Sequence, residues 1–196
     1  MPSLRIFFAG VGGQGTLTAT RLVAETALDQ GLEVTAGEIH GMAQRGGVVH
    51  SFVLMGGYHS PKISAGEADI LLGFEPLETV RALPFLKPGG VVLSSDSPVP
   101  PVSTTTGKET YPSLQDCRAK IEACTDRLHL LPCVDLARKT NVVQTANTVL
   151  LGGFFAGEFS PVTLEAFLEN IQNKLSPKLV DVNLQAARLG ADFISG

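Results

Sequence analysis

The 196-residue sequence predicts an α/β fold: a mostly parallel sheet with helices on both faces and further helices at the C-terminal end. Three observations lead there. The apolar run Leu4 to Ala9 opens into the glycine turn Gly10-Val11-Gly12-Gly13-Gln14-Gly15, and a helical pattern follows. Short apolar runs recur at 68–74, 91–94 and 128–131, of a length that suits buried strands. The chain is 44% hydrophobic but only 17% charged, a balance that suits a sheet covered on both sides or a surface partly covered by another chain. At roughly 150 residues per domain the length predicts a single domain, 1–196.

The elements follow in order. Residues 16–30 form a helix whose apolar face is read as Leu17, Ala24, Ala27 and Leu28, with Val23 and Thr20 beside them; Gly31 ends it. A second strand is expected at 32–36, parallel to the first. Residues 37–47 carry too many glycines for a helix and lack strand alternation, so a shaped loop is expected. A strand at 48–55 precedes the turn signals Gly56-Gly57 and Ser60-Pro61, and Ile63 opens a short returning strand. The strand 68–74 leads into a helix started by Glu75-Pro76, with Glu75 as its cap. Pro88-Gly89-Gly90 separates that helix from the strand 91–94. Residues 96–112, rich in Pro, Ser and Thr, read as a surface excursion. A helix at 113–125 presents Leu114, Cys117, Ile121 and Cys124 on one face. After the strand 128–131, helices are expected at 134–139, at 142–156 with Asn141 as N-cap, from Ser160-Pro161 onward, and at 179–189. Asn183 and the run Ala186 to Gly190 suggest a small-residue face for close packing, on a neighbouring element or a partner.

Composition narrows the function. Fifteen Lys and Arg against nineteen Asp and Glu give a net charge of −4, without the basic face a nucleic-acid partner needs. Cys117, Cys124 and Cys133 contain no C-x-x-C, which argues against a disulfide framework, a structural zinc or a self-contained iron-sulfur cluster. The start lacks a signal-peptide cleavage region, and no window reaches the ~18–20 apolar residues of a membrane span. A cytoplasmic protein with no nucleic-acid and no membrane partner is expected.

Gly10-x-Gly12-x-x-Gly15 matches the dinucleotide fingerprint in its required context, strand before and helix after. Glycines allow positive φ and close approach of main chain to a ligand, and the helix start offers N–H groups to an anion. The same pattern also serves where a glycine turn merely lets helix and strand pack closely. The fingerprint's ribose-binding acid, about 20 residues on, has Glu33 and Glu38 as candidates. No G-K-[ST] follows, which excludes a P-loop.

Residues 40–47, His40-Gly41-Met42-Ala43-Gln44-Arg45-Gly46-Gly47, concentrate an imidazole, an amide, a guanidinium and glycines. In open α/β sheets the site forms beyond the strand carboxyl ends, where this loop is expected beside the glycine turn. Arg45 suits a carboxylate or phosphate gripped by two hydrogen bonds. Gly46 and Gly47 permit close approach of a ligand or subunit. The candidate site is therefore Gly10, Gly12, Gly13, Gln14 and Gly15 with His40, Gln44, Arg45, Gly46 and Gly47. Catalytic residues are not identifiable, and no metal ligands are expected: His50 and His59 lack a carboxylate at metal spacing. Cys133, after a Pro at a strand end, is the cysteine to test for reactivity. No nucleophilic triad, H-E-x-x-H or thiamine-type segment is present, so an enzyme containing this chain keeps its chemical machinery elsewhere.

The glycine turn, the segment Gly37-Glu-Ile-His-Gly-Met-Ala-Gln-Arg-Gly-Gly47, the run Ala68-Asp-Ile-Leu-Leu-Gly-Phe-Glu75 and Asn141-Val-Val together resemble the gamma-type subunit family of 2-oxoacid:ferredoxin oxidoreductases, nearest its arylpyruvate-oxidising branch. The likeness runs from Leu4 to Gly190, leaving 96–112 without a recognisable motif. It implies a Rossmann-like catalytic domain of the pyruvate/ketoacid ferredoxin oxidoreductase gamma type. It also implies oxidative decarboxylation of a 2-oxoacid, an arylpyruvate such as indolepyruvate, to acyl-coenzyme A (CoA) with ferredoxin reduction. By the same resemblance this subunit is inactive alone and binds no cofactor by itself. Thiamine diphosphate and iron-sulfur clusters of the four-iron, four-sulfur type sit on a large partner subunit, CoA is co-substrate, and ferredoxin is met through the complex. The glycine turn and the His40–Gly47 loop would line the substrate or CoA side, or the subunit interface, with Arg45 on an anionic group. Two other classes stay open: a free-standing NAD(P)-binding oxidoreductase with Glu38 on the ribose, and a non-catalytic nucleotide-binding protein.

Overall fold

The computed structural model describes residues 3–40, 47–100, 110–157 and 159–196. Its sheet has the order β2-β3-β1-β4-β5-β6, with β1 Leu4–Val11, β2 Val34–His40, β3 Val48–Met55, β4 Ala68–Gly73, β5 Leu86–Ser95 and β6 Leu128–Leu131. β1, β4, β5 and β6 run parallel, while β3 lies antiparallel between β1 and β2. The mostly parallel sheet is as expected, but the second strand is not the parallel neighbour of the first. β2 also extends to His40, taking in Gly37 to His40, which the sequence reading placed in a loop. Only residues 41–47 connect β2 to β3, too few for a parallel crossover, so β3 must return antiparallel.

The period-2 alternation of β1 divides the core. Ile6 and Phe8 face α1 (Thr16–Asp29), α5 (Ala146–Ala156), α6 (Leu164–Lys174) and α7 (Pro177–Ser195). Phe7 and Ala9 face the other side, with α2 (Pro76–Ala82) and α3 (Leu114–Glu122). A short α4 (Cys133–Arg138) follows β6. Helices thus cover both faces, one of the two arrangements that suit the low charge content.

α1 ends in a Schellman motif: Leu32 N–H donates to Ala27 C=O at 3.1 Å and Gly31 N–H to Leu28 C=O at 2.9 Å, with Gly31 at φ 76°. Its buried face, however, carries Ala19, Leu22, Val23, Thr26 and Ala27, and leaves Leu17 and Leu28 exposed. α5 is buried on nearly every side, so it runs through the core rather than over it. It meets α7 through small residues: a Cβ on Gly152 would overlap the Ala187 carbonyl, and one on Gly190 the Val149 carbonyl. The small-residue face of α7 is thereby used inside the chain.

Other boundaries differ locally. Pro88 to Gly90 form a register irregularity within β5 rather than preceding it, with Gly89 at φ 72°. Ile63 is buried in irregular chain, not in a strand. Cys124 lies past the end of α3 and is exposed. Asn141 sits at φ 61° behind α4, and Thr145 holds the N-cap position of α5. The cap of α6 is Thr163, whose hydroxyl accepts from Ala166 N–H at 3.3 Å, two residues beyond Pro161. No helix among the described residues is long and apolar enough to cross a membrane.

Candidate functional site

The glycine turn leaves β1 at the carboxyl edge of the sheet, and three of its glycines answer to packing or backbone geometry. A Cβ on Gly10 would come within 2.8 Å of Thr16 Oγ1 and 3.1 Å of Phe74 Cβ, so Gly10 permits close packing. Gly13 at φ 103° and Gly15 at φ 76° supply backbone conformations that other residues resist. Gly12 N–H donates to Gly47 C=O at 2.9 Å, tying the turn to the start of β3. Val11 pairs with Val48 and His40 with Val49, so both ends of the 41–47 connection lie at this edge beside the turn. Gln44, Arg45 and Gly46 lie outside the described residues.

Gln14 braces the turn. Its Oε1 accepts from Val11 N–H at 2.9 Å and its Nε2 donates to Phe74 C=O, at the end of β4, at 2.8 Å. The amide thus holds the glycine turn to the neighbouring strand.

On the side away from β3, Gly13, Gln14 and Gly15 form one wall of a cleft of about 870 Å³. Its other walls come from the β5 exit (Ser95 to Val99), from α4 and residues 142–145, and from the heads of α5 and α7. Polar groups gather on one side: Asn147 Nδ2 donates to Gly15 C=O at 3.3 Å, and Thr148 Oγ1 bonds to Asn183 Oδ1 at 2.6 Å. Aliphatic Val99, Val143 and Leu179 are exposed at the cleft. Its charged lining groups are Asp96, Asp135 and Arg138, and Arg138 is engaged by Asp135 at 2.7 Å. Burial pushes the Asp96 carboxyl up, with a further push from Asp135. The described cleft is therefore suited to neutral, partly apolar groups that hydrogen-bond, rather than to a polyanion.

Asn147, Thr148 and the β5 exit were absent from the sequence-derived site. Their one local signal is a polar pair heading an otherwise apolar helix, Asn147-Thr148 before Val149 to Phe155. Glu38, the candidate ribose acid, stands on β2, which β3 separates from β1. That puts it about two strand spacings, roughly 10 Å, from the strand bearing the glycine turn. The dinucleotide fingerprint needs its acid on the strand next to the turn, so the sheet order opposes a ribose contact there.

Among the described residues the donor set does not fit a metal cluster. Cys117 is buried on α3, Cys124 is exposed, and Cys133 is buried beneath the cleft on the other face. Among the described residues no three His, Cys, Asp or Glu side chains come together as ligands. Burial pushes the Cys133 thiol up to about 12, the opposite of what a reactive cysteine needs. His50 packs against Phe7 and Phe85, and burial lowers its pKa.

Comparison with known proteins agrees with this architecture. The model of the family described as pyruvate ferredoxin/flavodoxin oxidoreductase matches residues 5–193. Indolepyruvate oxidoreductase subunit IorB of Pyrococcus horikoshii is 38% identical, covering 97% of this chain and 95% of that protein. Its counterpart in Thermococcus kodakarensis is 36% identical with the same coverage. In fold, the chain is similar to the crystal structure of the keto/oxoacid ferredoxin oxidoreductase gamma subunit from Geobacter sulfurreducens, with a TM-score of 0.70 at 23% identity and 98% of each chain covered. With nearly the whole length matched, the chain belongs to the pyruvate ferredoxin/flavodoxin oxidoreductase family.

Proposed function

We propose that this chain is the small subunit of a 2-oxoacid:ferredoxin oxidoreductase acting on an arylpyruvate such as indolepyruvate. The observation that carries the reading is near-full-length identity of 35–38% to four proteins named indolepyruvate oxidoreductase subunit IorB. The reaction joins a 2-oxoacid, CoA and oxidised ferredoxin to give acyl-CoA, carbon dioxide and reduced ferredoxin. Residues 1–196 act as one catalytic-type domain, working in the cytoplasm and inactive alone. A large subunit carries thiamine diphosphate and the iron-sulfur clusters, consistent with cysteines that do not converge here.

In this reading the present chain positions rather than reacts. The cleft receives an uncharged organic part of substrate or CoA, with hydrogen bonds from the polar groups near Gln14 and Asn147. The glycine turn faces an anionic group, and Arg45 grips it. Relatives named ketoisovalerate oxidoreductase subunit VorA contain a match to this chain over about 36% of their length. Its presence inside a longer chain supports a working position beside a larger component. The test is co-purification with the large subunit, followed by a panel of arylpyruvate, branched-chain oxoacid, pyruvate and 2-oxoglutarate. CoA-dependent viologen reduction strongest with an arylpyruvate is expected; preference for another oxoacid would reassign the substrate, and no oxoacid consumption would remove the redox assignment.

A further inference from the structure

Glu75 is buried, 1% exposed, at the end of β4, yet it is not one of the residues lining the cleft. Its two carboxyl oxygens do different work. Oε2 accepts from Glu78 N–H at 2.8 Å and caps α2. Oε1 accepts from Val99 N–H at 3.3 Å and from the Tyr111 hydroxyl. Capping alone needs a single side-chain oxygen. A buried carboxyl is costly unless its oxygens are matched by donors, so the reach to Val99 and Tyr111 needs its own explanation.

The preceding residue supplies the context. Phe74 N–H donates to Ala9 C=O at 2.8 Å, and Phe74 C=O accepts from Gln14. Consecutive residues at one strand end therefore hold two opposing parts of the cleft: Phe74 the glycine turn, Glu75 the β5 exit at Val99. Val99 and Tyr111, on either side of residues 100–110, converge on the same oxygen. Burial, then the Glu75 hydrogen bond and charge, hold the Tyr111 phenol well above its usual range, so it remains a donor.

We propose that Glu75 is a positioning residue for the cleft, setting the distance between the glycine turn and the Val99 wall without touching ligand. Its effect on turnover rests on the subunit reading above; its effect on the wall does not. Glu75→Ser keeps a capping oxygen but cannot reach Val99 and Tyr111 as well, and Tyr111→Phe removes one donor while leaving the cap intact.

Both variants are made in the full chain and in its complex with the large subunit. Amide hydrogen exchange at Val99 is expected to quicken by about ten-fold or more in Glu75→Ser, with β4 amides unchanged, and to quicken less in Tyr111→Phe. In the complex, the KM for CoA or for indolepyruvate is expected to rise about ten-fold with kcat held within about two-fold. Unchanged Val99 exchange in Glu75→Ser overturns the proposal, as does faster exchange with both KM values unchanged. Should Glu75→Ser not fold, Tyr111→Phe decides alone, unchanged exchange at Val99 counting against the proposal. A wild-type complex without turnover defeats the subunit reading instead, and exchange then decides the positioning role by itself.

Discussion

Gly190 of α7 lies directly on the carbonyl of Val149 in α5: a Cβ there would overlap that oxygen and stand 2.7 Å from its carbon. Gly152 meets Ala187 in the same way from the opposite helix. Backbone cannot retreat as a flexible side chain can, so the helices would have to separate. Gly190→Ala and Gly152→Ala are each expected to destabilise by about 3 kcal/mol or more, at the upper end of overpacking costs. Urea midpoints would show it; a loss under about 1 kcal/mol would mean that the helices are less closely apposed.

Gln14 offers a more local test. Removing its amide leaves Val11 N–H and Phe74 C=O without the partners they have here. Gln14→Ala should cost about 1–3 kcal/mol. It should also weaken CoA or oxoacid binding by the complex, because the turn loses its brace to β4. Unchanged stability and unchanged KM values would show that the turn is self-supporting.

These two sites differ in how visible they are from the sequence. β3 and β6 were legible to the residue, because apolar runs bounded by turn signals leave little choice of end. The glycine turn and the Gly31 stop were legible for the same kind of reason, since each needs a backbone conformation that few residues adopt. The β2–β3 pairing could have been inferred from chain length: seven residues reach back antiparallel but cannot cross over. Leu17 and Leu28 misled because hydrophobicity marks a helix face only when the core lies on that side; Ala19, Leu22, Val23 and Thr26 fill it instead. The cleft was out of reach, since Gln14, Val99, Asn147 and Asn183 come from four separate stretches.

Arg45 carries the proposed anion contact. A charge-assisted, two-bond grip contributes about 1.5–3 kcal/mol, so Arg45→Ala should raise the KM of the anionic partner about 10- to 100-fold. A complex that turns over with unchanged CoA and oxoacid KM values would remove this role.

The cysteines give a prediction on pH. Burial raises the Cys133 thiol from its ordinary 9.0 to about 12 and moves Cys117 the same way. Iodoacetamide at pH 8 should label exposed Cys124 quickly and the other two only on unfolding. A folded-state pKa above the unfolded value stabilises fully below the unfolded value and is lost as pH rises through the folded one. Stability should therefore fall between about pH 9 and 12, and Cys133→Ala should flatten that fall. Rapid labelling of Cys133 in the native chain would contradict its burial.

His50 works in the acid range. Its pKa is lowered from 6.5 by burial, so below that pH the unfolded chain takes up the proton more readily and stability declines. His50→Gln should lessen the decline as pH falls below about 6.5, as read from urea midpoints; an unaltered pH profile would place the titration elsewhere.

The central claim is that this chain shapes a site whose electron-handling chemistry belongs to a partner. The most direct measurement compares CoA-dependent viologen reduction by the isolated chain, by the large subunit and by the two together, with indolepyruvate as substrate. The account predicts substantial activity only for the pair. Turnover by the isolated chain, or an inert pair in which both subunits are folded and associated, would contradict it.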